Sequence, residues 1–217
     1  MNDNMADGVE AELVHPLSDA SCGSANRTKA EIAEKLALSG KLHVIEIASG
    51  FGVHIEHLAK VFPDCEYQPT EAQLKCMDKL QEISSRYPNI YKPMFLNVLS
   101  SQQWSLIKAD SIDVLLAFNL IHVSPPEVTR TLFLHANRIL RPRGQVILYG
   151  AFRRHGKITS ASDEEFERLL KKRDPKWGLR DLDGIVQKIA DTAHFSLITI
   201  IQMASNNLLV RFELRQR

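Results

Sequence analysis

Short apolar runs alternate with stretches whose apolar residues recur every three or four positions, and this alternation of period predicts strands and helices in turn. Val44, Ile45 and Ile47 form a β-branched run that suits a strand buried on both faces of a parallel sheet. A helix over 53–61 follows, with Val53, Leu58 and Val61 inward and Pro63 as its stop. A second strand over 65–68 runs into Pro69, Thr70 and Glu71, where a helix starts with Leu74, Met77 and Leu80 on one face. A third strand is expected within 90–98, then a short helix over 102–107 and a central strand over 114–118, the most apolar run of the chain. Pro125 and Pro126 open a helix to about Leu140, and Arg141, Pro142, Arg143 and Gly144 turn the chain into a strand over 145–149. Beyond Gly150 the text becomes charged and turn-rich, with a helix carrying Phe166, Leu169 and Leu170, then DPKWGLRD, then a helix over 182–192. SLITIIQM and NNLLVRFEL are spaced as a terminal antiparallel pair. Upstream of the first strand, Asn26 is placed to cap a helix running to about Leu38 and ended by Gly40. Residues 1–24 are polar and irregular and are expected to be a mobile tail, leaving 25–217 as a single domain.

Strands alternating with helices imply a doubly wound α/β sheet, whose ligands bind outside the carboxyl ends of the strands. The small-residue loop Ala48, Ser49, Gly50, Gly52 follows the first strand and keeps side chains away from any ligand lying against its backbone. Taken alone, such a loop is equally a tight turn that binds nothing. Glu46 to Gly52, Glu71, Asn97 and the stretch Asn119 to His122 each fall at or just past the end of a different predicted strand, which argues for a shared site.

Composition narrows the ligand. Lys plus Arg number 27 against 26 Asp plus Glu, and a net charge of +1 counts against nucleic acid held by bulk electrostatics. No apolar run approaches the ~20 residues of a membrane span, and MNDNMADGVEAEL lacks the features of a secretory signal, so a soluble cytoplasmic protein is expected. Three cysteines and eight histidines lack metal-ligand spacing, and no metal is assigned; His54 and His57, three apart on a helix, are read as scattered.

Glu71 lies 21 residues after Gly50, close to the ~20-residue offset at which an acidic side chain accepts ribose hydroxyls. Asn97 has the donor and acceptor an adenine edge requires. A dinucleotide fingerprint wants a third glycine where this chain has Ile55, and Glu46 inside the first strand would repel a pyrophosphate while suiting a cation. Both observations favour S-adenosylmethionine, with its ammonium and sulfonium, over a nicotinamide cofactor.

EIASGFG resembles motif I of class I S-adenosylmethionine-dependent methyltransferases, with Ala48 where many members have the first glycine. IEIASGFGVHIEHLA, YQPTE, FNLIHVSP, ILRPRGQVILYGAF, RDPKWGLRDLDGI and MASNNLLVRF together are similar to the methyltransferase-like protein 26 family, over roughly Ala25 to Phe212. Ala151 stands where the family usually has proline, and Asn97 where an aspartate often follows the third strand. The resemblance implies a Rossmann-like, mostly parallel seven-stranded sheet whose last strand inserts antiparallel beside the fifth. It implies that Glu46, Ala48, Gly50 and Gly52, with Ser49 in the same loop, hold the methionine part, Glu71 the ribose, Asn97 with Val98 the adenine, and that Asn119 faces the methionine end. It names no acceptor.

Methyl transfer from a sulfonium is an in-line displacement, so the protein has to place a nucleophile and, where needed, deprotonate it. His122, just beyond the central strand, is the candidate base, and a packed structural histidine is the alternative. The segment from Tyr149 through Trp177 and Arg180 is the candidate substrate wall and lid; Asp181 reads better as a helix cap, and Asn206 and Asn207 as a strand turn. An enzyme acting on a small-molecule acceptor is therefore expected, with a non-catalytic interaction module as the alternative.

Overall fold

The computed structural model describes residues 19–216, so most of the expected tail lies outside the described residues. Helix α1 (Asp19–Leu36) begins earlier than predicted, and Asn26 sits inside it, donating from its amide to the Cys22 carbonyl rather than capping an end. The chain then runs through β1 (His43–Ile47), α2 (Val53–Val61), β2 (Glu66–Glu71), α3 (Leu74–Arg86), β3 (Met94–Phe95), α4 (Ser101–Trp104), β4 (Ile112–Phe118), α5 (Pro126–Ile139) and β5 (Leu140–Gly150). A two-stranded ribbon pairs β6 (Phe152–Arg153) with β7 (Arg180–Asp181), and α6 (Ala161–Arg173) lies between them in sequence. A π-helical turn at 182–186 leads into α7 (Gln187–Thr192), and β8 (Phe195–Gln202) and β9 (Leu208–Leu214) finish the chain.

Among the described residues the main sheet has seven strands in the order β3-β2-β1-β4-β5-β9-β8. The first five are parallel, and β9 inserts antiparallel between β5 and β8. Strand alternation splits the core between the two faces of this sheet. Ile45, Ile47, Leu115, Ala117, Val146 and Leu148 face α5 and α7, where Phe133 meets Phe195 and Phe212 edge to face at 5.4 and 5.2 Å. Val44, Val114, Leu116, Phe118, Ile147 and Tyr149 face α1 and α2. Glu46 shares that second face with Val44 and is buried there.

Several local expectations change. The inward face of α2 is His54, Ile55, Leu58 and Ala59, leaving Val61 exposed, and α3 buries Cys76, Leu80 and Ile83 while Leu74 is exposed. Pro93, with no N–H to give a ladder, separates the isolated Tyr67–Ile90 bridge from the two residues of β3. Pro69 is tolerated inside β2 because its missing N–H faces that same interruption: Tyr67, two residues earlier, sends its N–H outward to the Asn89 carbonyl. Arg141 to Gly144 do not form a separate turn before β5. They bulge within it, where the ladder jumps from Ile112–Leu140 to Val114–Gln145. Arg141 pairs there with Asp113, whose carboxylate also accepts from the His43 amide.

Candidate functional site

The carboxyl edge of β1 turns sharply. Ala48, Gly50 and Gly52 have φ of +57°, +56° and +77°, so the loop uses left-handed conformations three times in five residues. Glu71, at the end of β2, fixes that geometry: one carboxylate oxygen accepts from Gly50 N at 2.8 Å, the other from Ala72 N at 2.7 Å and Gln73 N at 3.0 Å. Three of about four acceptor positions are thereby filled. Glu71 therefore braces the loop and retains one acceptor position. Burial raises its pKa against those three amide bonds, which favour the charged form. The first turn of α2 has no side-chain cap, and its orphan N–H groups open toward the loop.

Glu46 lies under the loop, buried to 2% exposure. Its Oε1 is 4.0 Å from His54 Nδ1, while its Oε2 and the Nε2 of His54 are buried without hydrogen-bond partners. His54 shows no ligand spacing in the sequence, yet the phase of α2 brings it to the sheet and beside a carboxyl group. Burial pushes Glu46 up to about 8, with the nearby Glu71 adding to the effect and Ser49 opposing it, and pushes His54 down to about 4. His54 meets Phe118 edge to face, and Phe118 meets Tyr149 in the same way. Tyr149 is buried, with Thr28 of α1 beside its hydroxyl, rather than lining an open wall.

Past β3, Asn97 Oδ1 accepts from Leu99 N at 3.0 Å in a local turn, and Asn97 N donates to the Gln103 side chain. The indole of Trp104 donates to the Val98 carbonyl at 2.8 Å. Past β4, Asn119 has φ +55° and is followed by a single 3-10 turn at 121–123 that carries His122. His122 is 3% exposed and packs edge to face on Phe166 of α6. Gly150 makes room for it: a Cβ there would stand 3.0 Å from His122 Cε1 and 3.3 Å from Asn119 Oδ1. These two side chains and the start of the lid thus meet at one corner of the sheet edge.

The candidate lid segment has a small core of its own, in which Trp177 packs with Ala151, Leu170 and Leu179. Arg180 is 9% exposed and donates to the carbonyls of Ser124 and Lys176. Both residues are therefore engaged in packing and bracing rather than presented to a cleft. Gly178 N donates to the His122 carbonyl at 3.0 Å, so this segment holds the turn that carries His122. A residue absent from the sequence reading, Glu167, ties the lid together: it accepts from Arg153 at 2.7 Å and from Leu179 N at 2.6 Å. Its place in a charged helix gave no signal of burial. Asp181 accepts from Gly184 N as a cap, and Asn206 lies in the turn before β9, donating to Ser160 and Ser162. A groove of about 520 Å³ beside the loop is lined by Phe51 and Val53 together with residues of α1, α2 and α3. Among the described residues no group of three His, Cys, Asp or Glu is arranged to hold a metal ion, and no helix is long and apolar enough to cross a membrane.

The fold recurs in solved methyltransferases. An O-methyltransferase family protein from Burkholderia thailandensis matches with a TM-score of 0.76 at 14% identity, over 91% of this chain and 59% of that one. Human N-acetylserotonin methyltransferase, in complex with SAM, matches with a TM-score of 0.71 at 9% identity, over 91% and 55%. Geranyl diphosphate methyltransferase, in complex with GPP and sinefungin, matches with a TM-score of 0.66 at 8% identity, over 87% and 78%. The chain spans little more than half the length of the first two. It has the class I methyltransferase fold, a Rossmann-like sheet with antiparallel last strands. The family model described as protein of unknown function (DUF938) matches residues 19–214, and the chain belongs to that family.

Proposed function

We propose that this chain is an S-adenosylmethionine-dependent methyltransferase of the methyltransferase-like protein 26 family, acting on a small-molecule acceptor in the cytoplasm. The observation that carries the reading is the loop after β1: left-handed at Ala48, Gly50 and Gly52, pinned by Glu71, and underlain by the unpaired carboxyl of Glu46. A site of bare backbone over a buried acidic group suits a cationic ligand and is unsuited to a pyrophosphate. N-acetylserotonin methyltransferase and geranyl diphosphate methyltransferase share the fold and are named for small acceptors. The near-neutral charge gives nucleic acid no general attraction.

On this reading the backbone of Ala48 to Gly52 and the field of Glu46 hold the methionine end, with Asn119 facing it. Glu71 gives its remaining acceptor position to the ribose, and Asn97 with Val98 meets the adenine. When bound, the cofactor supplies an electrophilic methyl group on sulfur. His122 would take the proton from an acceptor held at this corner of the sheet edge. Trp177 and Arg180 keep His122 in place through the Gly178 and Ser124 backbone, and Tyr149 backs the site from the sheet.

Calorimetric titration with S-adenosylhomocysteine tests the cofactor. Micromolar binding is expected, abolished by Gly50→Arg, which puts a long side chain on the left-handed loop proposed to hold the ligand. Absence of binding at millimolar ligand would instead support a non-catalytic interaction module. For the catalytic role, His122→Ala is expected to keep S-adenosylhomocysteine binding and to lose turnover in a screen of small-molecule acceptors.

A further inference from the structure

Glu46 is an acid without a counter-ion. Its Oε2 has no partner, and the Nδ1 of His54 stands 4.0 Å from its Oε1. Among the described residues no lysine or arginine pairs with it. The loop contributes Ser49, β2 contributes the like charge of Glu71, and α2 contributes His54, with His57 one turn further on. Helix α1 brings Lys29 toward His54 and His57, and Glu31 toward Tyr149 of β5. A buried carboxylate facing a second carboxylate and a neutral imidazole is costly to charge, so Glu46 holds a proton near neutral pH. The loop it underlies is the surface where the proposed ligand's ammonium and sulfonium would lie.

We propose that Glu46 is a proton-coupled counter-charge: it is protonated in the free protein and gives its proton to solvent when a sulfonium- or ammonium-bearing ligand settles over the loop. This rests on the cofactor reading above and adds to it a proton that leaves on binding. The O–H bond of Glu46 breaks, the electron pair stays on the carboxylate facing the cation, the proton passes to the buffer, and no bond to the ligand forms. Glu46 is a positioning residue here, acting through its field. The consequence is a pH-dependent affinity: with one proton linked to binding, the dissociation constant falls about tenfold per pH unit below the pKa of the free carboxyl and levels above it.

The test is calorimetry on the full chain with S-adenosylmethionine and S-adenosylhomocysteine at pH 7, in phosphate and in Tris, whose ionisation enthalpies differ. The expected result is a binding heat that shifts between the buffers by the amount for about one proton released per ligand, and no shift in Glu46→Gln. Binding with the same heat in both buffers, or a shift that persists in Glu46→Gln, would overturn the proposal while leaving the cofactor reading intact. No binding by either ligand would overturn both. Should Glu46→Gln not fold, infrared difference spectroscopy of the wild type decides: a protonated-carboxyl band at pH 7 that disappears on adding ligand supports the proposal, and a band that is absent or unchanged refutes it.

Discussion

Gly52 shows how little freedom the loop leaves. Its φ is +77°, and a Cβ there would stand 2.6 Å from Ile83 Cδ1 and 2.9 Å from Leu80 Cδ2, both on α3. Gly52→Ala is therefore expected to lower stability by about 1–3 kcal/mol, through left-handed strain plus overpacking, as an earlier urea midpoint. An unchanged midpoint would mean that α3 yields without cost. The pair beneath the loop carries a pH signature. Glu46 is raised from 4.5 to about 8, so between those values the folded chain binds more protons than the unfolded one, and stability falls as pH rises. His54 is lowered from 6.5 to about 4, so between 4 and 6.5 the folded chain binds fewer protons, and stability rises with pH. The two oppose each other up to about 6.5, and above that Glu46 acts alone. Thermal melts are expected to decline from pH 6.5 to 8 in the wild type and to decline less in Glu46→Gln; equal slopes would rule out this assignment. The sequence announced Glu46, because an acid inside an apolar strand is conspicuous. It did not announce His54, since which helical residue meets the sheet depends on how the loop sets the phase of α2.

At the level of elements, most strands and helices were legible because their apolar periods are strong, as in the run of β4 and the i, i+4 pattern of α5. Boundaries set by pairing were not: Pro69 reads as a strand end, yet β2 continues through it because its missing N–H meets no partner strand. The segment after β5 was legible as a charged, turn-rich insertion but not in its packing. Trp177 and Arg180 look like ligand-facing residues in a turn, and only the packing of α6 against 176–181 reveals that they brace the lid. Glu167 is the element's clasp, 8% exposed, with Arg153 and the Leu179 amide as its donors. Glu167→Ala leaves both donors without their acceptor, the amide in a buried setting, which is expected to cost about 1–3 kcal/mol. The loss should be local, so limited proteolysis within 154–179 is expected to speed up well before the global unfolding midpoint moves. Cleavage at the wild-type rate would show that apolar packing around Trp177 suffices. A second clasp joins α1 to the sheet: Arg211 of β9 donates to the Lys35 and Leu36 carbonyls at 2.6 and 2.7 Å, at the negative end of the helix. Arg211→Ala is expected to fray the last turn of α1, seen as faster amide exchange near its C-terminus with β1 unaffected.

For the whole molecule, the alternation of strand and helix implied a doubly wound sheet, and the spacing of the last two strands implied an antiparallel pair. Where that pair joins the sheet came from family resemblance, because nothing in the local pattern of β9 distinguishes insertion beside β5 from addition at the edge. That insertion matters to the site: β5 is clamped between β4 and β9, which holds Tyr149 and Gly150, and with them the space occupied by His122. The carboxyl edges of β1, β2, β4 and β5 thus form one rigid rim, while α6 and its clasp form a cover. A ligand that contacts rim and cover together stabilises the chain as a unit. By mass action, S-adenosylhomocysteine at 100 times its dissociation constant adds about 2.7 kcal/mol to unfolding free energy. For a chain of this size each kcal/mol raises the melting temperature by about 2–4 °C, so a rise of roughly 5–11 °C is expected. Glu167→Ala separates rim from cover: if the ligand orders the lid, the variant should gain less than the wild type at the same multiple of its own dissociation constant. That multiple fixes the gain in a two-state molecule, so a smaller rise means that the lid melts as a separate unit. An equal rise would mean that rim and cover unfold together even without the clasp.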